Sequence, residues 1–335
     1  MSNKTIKAYK GFDKDLKCRG FQYEIGKEYS ENEAKACCCG FHACENPFDV
    51  LEYYSDIDNR FCEVEQSGEI SKEGNDSKVA STKIKIKAEI GFVGLFKAGI
   101  EWIKQITSPR AVIEETKKNN DSGNYAQIGS SGNSAQIGSS GNYAQIGSSG
   151  NSAQIGSSGN YAQIGSSGNY AKIGSSGNSA QIGSSGDSAK IGSSGNYAKI
   201  GSSGDYAQIG SSGNSAQIGS SGNSAKIGSS GNYAKIGSSG NSAKIGSSGD
   251  YAQIGSSGDY AQIECAGEDS VICCAGHGGK VKAKKGSWIT LSEWEYSEEK
   301  KRSIPKCVKT ALIDGETIKA DTLYMLIDGE FKEVE

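Results

Sequence analysis

Asn133-Ser134-Ala135-Gln136-Ile137-Gly138-Ser139-Ser140-Gly141 is one copy of a nine-residue unit. The unit begins at Asn124, recurs in steps of nine, and opens its sixteenth copy at Asp259, which decays into Glu264-Cys265-Ala266-Gly267. A fixed short period of this kind marks a solenoid. Within a copy, Ala135 and Ile137 point one way and Ser134 and Gln136 the other, as in a short strand with a thin apolar face. Gly-Ser-Ser-Gly is turn chemistry, with two glycines free to adopt positive φ. One such strand buries nothing alone, but stacked coils place each Ala/Ile pair on the pair below at about 4.8 Å. A flexible linker has no reason to set Ile at every ninth position and Ala two residues before it. Asn or Asp at the head of each copy fits a side-chain ladder along the stack, or a cap on each turn.

Two copies per coil, an eighteen-residue turn, is the expected arrangement because sixteen divides evenly. It gives eight coils and a rod of about 38 Å. Tyr fills the second position in six of eight odd copies (125, 143, 161, 197, 233, 251) and three of eight even ones (170, 206, 260). Three copies per coil also sorts them unevenly, so this position does not decide the number.

Read as Gly-Ser-Ser-Gly-Asn-Ser/Tyr-Ala-Gln/Lys-Ile, the unit resembles the calcium-binding nonapeptide β-roll of secreted RTX toxins, Gly-Gly-x-Gly-x-Asp-x-apolar-x. The resemblance implies the roll shape. The liganding aspartate position holds Ser or Tyr here, so calcium is not expected. The Asn-Ser-Ala-x-Ile-Gly string also looks like the longer head repeats of trimeric autotransporter adhesins.

Outside the repeats, residues 1–87 read as an α+β domain. Ile6–Lys10 is expected as a strand, Gly11-Phe12-Asp13 as a turn, and Phe21–Ile25, Phe61–Glu65 and Thr82–Lys87 as further strands. Asn46-Pro47 caps a helix over Phe48–Tyr54. Residues 88–107 form an amphipathic helix, with Ile90, Val93, Phe96, Ile100, Ile103 and Ile106 on one stripe; its expected task is to cover the open end of the solenoid. A polar connector, 108–122, leads to the solenoid proper, 123–285, whose last coils degenerate. There Ile272 and Val281 keep the Ile263 register, and Cys265, Cys273 and Cys274 fall at turn corners. Residues 286–335 are expected to seal the far end with hairpins turning at Asp314-Gly315 and Asp328-Gly329. The fold class is therefore mainly β, a capped parallel β-solenoid.

No apolar segment opens the chain and none reaches 18 residues, so a membrane is not expected as a partner and a cytoplasmic location is. Ten cysteines then read as reduced thiols. Cys39, His42 and Cys44 are the candidate metal ligands, one short of the four a structural zinc normally takes, with Cys18 and Cys62 the only other candidates nearby; no metal and no cofactor are expected. Six lysines and four aspartates nearly balance within the repeats. That leaves no basic stripe, which makes nucleic acid a less favoured partner than protein. The candidate binding residues are Tyr125, Tyr143, Tyr161, Lys172, Lys199, Tyr233, Lys235 and Tyr251. They would form a regular Tyr/Ser-Gln/Lys face on a non-enzymatic scaffold. Near-identical copies also favour homo-oligomers or end-to-end assembly.

The flanks resemble a family of bacterial and phage or prophage proteins to which no activity is attached. The matching strings are Lys7-Ala8-Tyr9-Lys10-Gly11-Phe12, Asp15-Leu16-Lys17-Cys18-Arg19-Gly20-Phe21-Gln22-Tyr23-Glu24, Gly40-Phe41-His42-Ala43-Cys44-Glu45-Asn46-Pro47, Glu63-Val64-Glu65, Gly286–Trp294 and the Ile-Asp-Gly-Glu segments. Tyr9-Lys10-Gly11 followed by Gly40–Pro47 is also similar in layout to ADP-ribosyltransferases. That likeness implies an alternative NAD-using transferase head, with Lys10 at the nucleotide and Glu63, Glu65 or Glu69 at the reacting centre. The family's Ser/Thr after the glycine pair is absent.

Overall fold

A computed structural model describes residues 5–72, 77–106, 120–121 and 123–334. The chain divides into two units, Met1–Trp102 and Ile103–Glu335.

The second unit is the solenoid. Gln136 pairs with Gln154, Ile137 with Ile155 and Gly138 with Gly156, all in parallel and eighteen residues apart. The coil therefore holds two copies, and the solenoid makes about nine turns. Four-residue strands alternate between two sheets. The first sheet takes Gln136–Ser139 and every second copy after it, and the second takes Gln127–Ser130 and the intervening copies. Ala and Ile from both sheets meet in one continuous buried core. Each buried Ile contributes about 1.5–3 kcal/mol.

The corners depart from the sequence reading. The expected positive-φ glycines are absent from the repeat. The left-handed residue is instead the Tyr or Ser that follows Asn/Asp, from Tyr125 (φ 65°) to Tyr260 (φ 56°). Each sits third in a four-residue turn, as where the Ala126 N–H donates to the Gly123 carbonyl (3.2 Å). Tyr and Ser thus belong to the corner and do not alternate with Gln on a strand face. The corner glycines serve close stacking. From Gly141 to Gly276, an added Cβ would lie 1.9–2.1 Å from the carbonyl oxygen of the glycine one coil earlier.

The expected Asn/Asp ladder is present, and it runs from side chain to backbone. Oδ1 of Asn124 accepts from the Asn142 N–H (3.0 Å), and Oδ1 of Asp187 accepts from Asp205 (3.0 Å). Only an oxygen acceptor is used, which is why Asn and Asp exchange freely at this position.

At the far end, Cys265, Cys273 and Cys274 lie on strands rather than at corners, pairing with Ser247, Gly255 and Ser256. Both sheets then finish antiparallel. Trp288–Ser297 pairs with Arg302–Leu312, and Lys280–Ala283 pairs with Leu323–Ile327. Ile289, Leu291, Ile313, Tyr324 and Leu326 extend the Ala/Ile core with bulkier side chains. Asp328-Gly329 turns a hairpin between Leu323–Ile327 and Glu330–Glu333. Asp314-Gly315 does not. Asp314 Oδ1 accepts from the N–H groups of Glu316, Thr317 and Ile318, so its carboxylate organises a loop in place of a strand pair.

The first unit is mostly β. Its longer strands are β1 (Ile6–Phe12), β5 (Phe41–Cys44), β6 (Arg60–Lys72) and β7 (Lys78–Glu89), with short β2 (Lys17–Cys18), β3 (Phe21–Gln22) and β4 (Glu28–Ser30) between. Pairings β7–β5, β5–β1, β1–β6 and β6–β7 close on themselves into a small barrel. Two expectations fail here. β1 runs through Gly11 and Phe12 because both pair with β6, and the expected strand at 21–25 stops at Gln22. The Asn46 cap holds, its Oδ1 accepting from Phe48 N–H, but it opens a 3₁₀ helix, Pro47–Glu52. Helix α1 spans Gly91–Ile106. Its Phe92 and Phe96 pack on Phe61 and Phe48, ring centroids 6.1 and 5.2 Å apart. The connector expected at 108–122 lies largely outside the described residues.

Candidate functional site

The two sheets have the same sequence but differ in exposure. In the first sheet the mid-strand glycines, among them Gly156, Gly174, Gly192 and Gly210, are buried. In the second sheet Gly147, Gly165, Gly183, Gly201, Gly219 and Gly237 are exposed, and a Cβ added to any of them would meet nothing within 4 Å. None has positive φ. Neither backbone conformation nor packing within the chain calls for glycine there. Glycine inside a strand is destabilising by about 0.5–1 kcal/mol relative to Ala, and it commonly marks a place where another backbone or a ligand comes close.

The consequence is a trough of about 1470 Å³ along the second sheet, from Gln127 to Cys273. Its floor is the glycine column. One wall is the outward Gln/Lys column, including Lys199 and Lys235, and the other bank is the second serine after each glycine, as at Ser221, Ser239 and Ser257. A corner ladder leads into the same sheet. Tyr125, Tyr143 and Tyr161 stack at 5.1 and 5.0 Å, and Tyr233 stacks on Tyr251 at 5.0 Å. The denser tyrosine column thus borders the open sheet.

The structure therefore brings together seven of the eight candidate binding residues. Tyr125, Tyr143, Tyr161, Tyr233 and Tyr251 share one corner, with Lys199 and Lys235 beside it on the second sheet. Lys172 stands on the first sheet, half-buried. The glycine floor was missed, because a sequence shows two identical half-coils and not which one stays open.

In the first unit, Lys10 lines a pocket of about 530 Å³ together with His42, Arg19 and Lys78. Burial pushes the Lys10 ammonium below its ordinary value. Glu63 and Glu65 do not face that pocket. Lys10 pairs with Cys62 and Tyr9 with Glu63 across the sheet, so alternation sends the glutamates to the other face. There they form ion pairs with Lys7 and Lys87. Glu69 is exposed, and among the described residues Glu31 is the one carboxylate in the pocket lining. The transferase arrangement implied by the resemblance thus has its lysine in a pocket without its glutamate. Cys39, His42 and Cys44 are not gathered into a ligand set; among the described residues no three His, Cys, Asp or Glu side chains are placed to hold a metal.

Burial also lowers the His42 pKa from the usual 6.5. An NMR titration of the folded chain should therefore place the His42 midpoint below 6.5. The unfolded ring then binds its proton first as pH falls, so this histidine withdraws stability below about pH 6.5. A midpoint at or above 6.5 would contradict the burial.

A family model described as a domain of unknown function (DUF7666) matches residues 6–98. No curated protein and no solved structure matches the chain. Among the described residues, no helix is long and apolar enough to cross a membrane.

Proposed function

We propose that this chain is a non-enzymatic repeat scaffold that uses the open trough of its second sheet to bind protein, with a second copy of itself as the occupant. The observation that carries the reading is the exposed glycine column, for which the fold alone offers no reason.

The face is self-complementary. A two-fold axis parallel to the solenoid, set between the Gln/Lys and glycine columns, lays each Gln/Lys column into the glycine trough of its partner. Every rung then repeats the contact at strand spacing, in the manner of interdigitating sheets. Eight rungs of about 4.8 Å and a width of about 15 Å give roughly 550 Å² per copy. Twice that only just clears the roughly 1,000 Å² of a specific interface, so the association is weak. Two lysines among eight wall positions supply too little charge to favour nucleic acid. The setting is the one implied by the flanks, a phage or prophage protein acting in the host cytoplasm.

Sedimentation equilibrium over a concentration series tests this. The native chain should show a reversible monomer–dimer equilibrium. The triple variant Gly183→Val, Gly201→Val, Gly219→Val fills the trough with β-favouring side chains and should stay monomeric while melting no lower than the parent. A native chain that is monomeric throughout, or a filled trough that still dimerises, removes the proposal.

A further inference from the structure

We infer that the first unit carries a separate binding site, the pocket around Lys10 and His42, and that its ligand is a small planar-ring anion, a ring bearing a carboxylate or phosphate.

Lys10 is buried on β1; its Nζ donates to the His42 carbonyl (2.9 Å) and has the Cys18 thiol as its other polar partner. The remaining neighbours of Nζ include the rings of Phe12 and Tyr23, with centroids at 5.5 and 5.9 Å. An ammonium has three donors, and among the described residues Lys10 forms no ion pair. A buried cation without a counter-charge is among the more expensive features a fold can keep.

The His42 ring lines the same pocket. Its Nδ1 lies 3.1 Å from the Gly40 carbonyl, which assigns the proton to Nδ1 and leaves Nε2 a bare acceptor in the neutral ring. Nε2 is buried and has no hydrogen-bond partner. Lys10 and His42 thus line one cavity of a size that suits a small organic molecule, the ammonium offering donors to an anion and the bare Nε2 an acceptor for a ligand hydroxyl such as P–OH.

The lining fixes the ligand's chemistry. Among the described lining residues Arg19 and Lys78, the latter held to the Tyr53 hydroxyl (3.1 Å), join Lys10 against Glu31, so the cavity favours negative charge. Phe21 is exposed at this cavity and meets Tyr23 and Tyr29 edge-on at 4.9 and 5.6 Å, forming an aromatic box beside the cations. Rings so arranged accept a flat apolar body, and the lysine accepts its charged end. A protein partner is excluded by size, and a bare inorganic ion would leave the rings idle.

The chain has two histidines, so the His42 ring signal can be followed by NMR with His277 as an internal control. Phenyl phosphate and benzoate, added to the full chain at constant pH, should shift His42 saturably and leave His277 in place. Lys10→Met removes the charge and keeps the bulk, and should weaken binding about tenfold or more. Phe21→Ala, at an exposed position, should weaken phenyl phosphate and benzoate without altering the fold. Binding of inorganic phosphate as tight as that of phenyl phosphate would overturn the ring assignment. A His42 signal unmoved by either ring anion, or undiminished binding in folded Lys10→Met, would overturn the site. Neither result depends on whether the solenoid dimerises.

Discussion

Gly195→Ala breaks the solenoid near its middle, whereas Gly201→Ala, six residues on, leaves it folded and slightly more stable. The two glycines look equivalent in sequence, each bordering the Ser-Ser of a repeat. Gly195 occupies a corner, and its added Cβ would stand 2.0 Å from the Gly177 carbonyl oxygen and 2.5 Å from its carbon. Those are backbone atoms held by the coil-to-coil bonds on either side, such as Tyr197 N–H to Asn214 O (2.9 Å). The methyl cannot be relieved by a rotamer change. The coils must separate locally, with the loss of ladder bonds and of the Ile contacts beneath. A cost of about 3 kcal/mol or more is expected, the upper end of overpacking, because backbone rather than side chain must give way. Because stability in a solenoid is a sum of nearest-neighbour terms, a broken central interface also uncouples the two halves. Urea melts followed by circular dichroism should then show an early, split transition for Gly195→Ala. Gly201→Ala should gain up to about 0.5–1 kcal/mol, since open space receives its Cβ. Equal melting of the two variants would show that the coils are not so tightly stacked at the corners.

That contrast also shows where sequence reasoning reaches and where it stops. The period, the inward Ala/Ile pair and the Asn/Asp ladder are local properties repeated sixteen times, and each was legible. The Asp328-Gly329 hairpin was legible for the same reason. The corner was misread because glycine has two uses, left-handed backbone and close approach, and composition does not separate them. Here the left-handed turn fell on Tyr and Ser, which ordinarily avoid it, while the glycines were taken up by stacking. The trough was invisible because it depends on one of two identical faces being open. The Lys10–His42 pocket was only partly legible. The strings Tyr9-Lys10-Gly11 and Gly40-Phe41-His42 stood out, but they meet only because β1 and β5 are neighbours in a closed sheet, and strand parity then turned the glutamates away.

Replacing Ser211, Ser220, Ser229 and Ser238 together by alanine should raise stability by about 3–5 kcal/mol. These serines end successive strands, two in each sheet, with side chains turned into the core. All four are buried and their hydroxyls have no hydrogen-bond partner. A hydroxyl so placed gives up its water without return, at about 1 kcal/mol or more. Alanine keeps the Cβ and removes the stranded oxygen. The chain makes this exchange itself near its end, where Cys265 follows Ser247 in register, Cys274 follows Ser256, and Ala283 follows Cys265. Burial drives the Cys274 thiol up to about 12, so that side chain acts as a neutral filler rather than a reactive group. Ser211 and Ser229 are register partners on adjacent rungs, as are Ser220 and Ser238, so the gains couple within each pair and add only between the two sheets. Urea melts of the quadruple variant against the parent measure the sum. A loss of stability would mean that the serine columns line a thread of ordered water within the solenoid. The core would then be held by a hydrated polar seam as well as by its Ala/Ile stack, and the recurrence of Ser would have a structural cause.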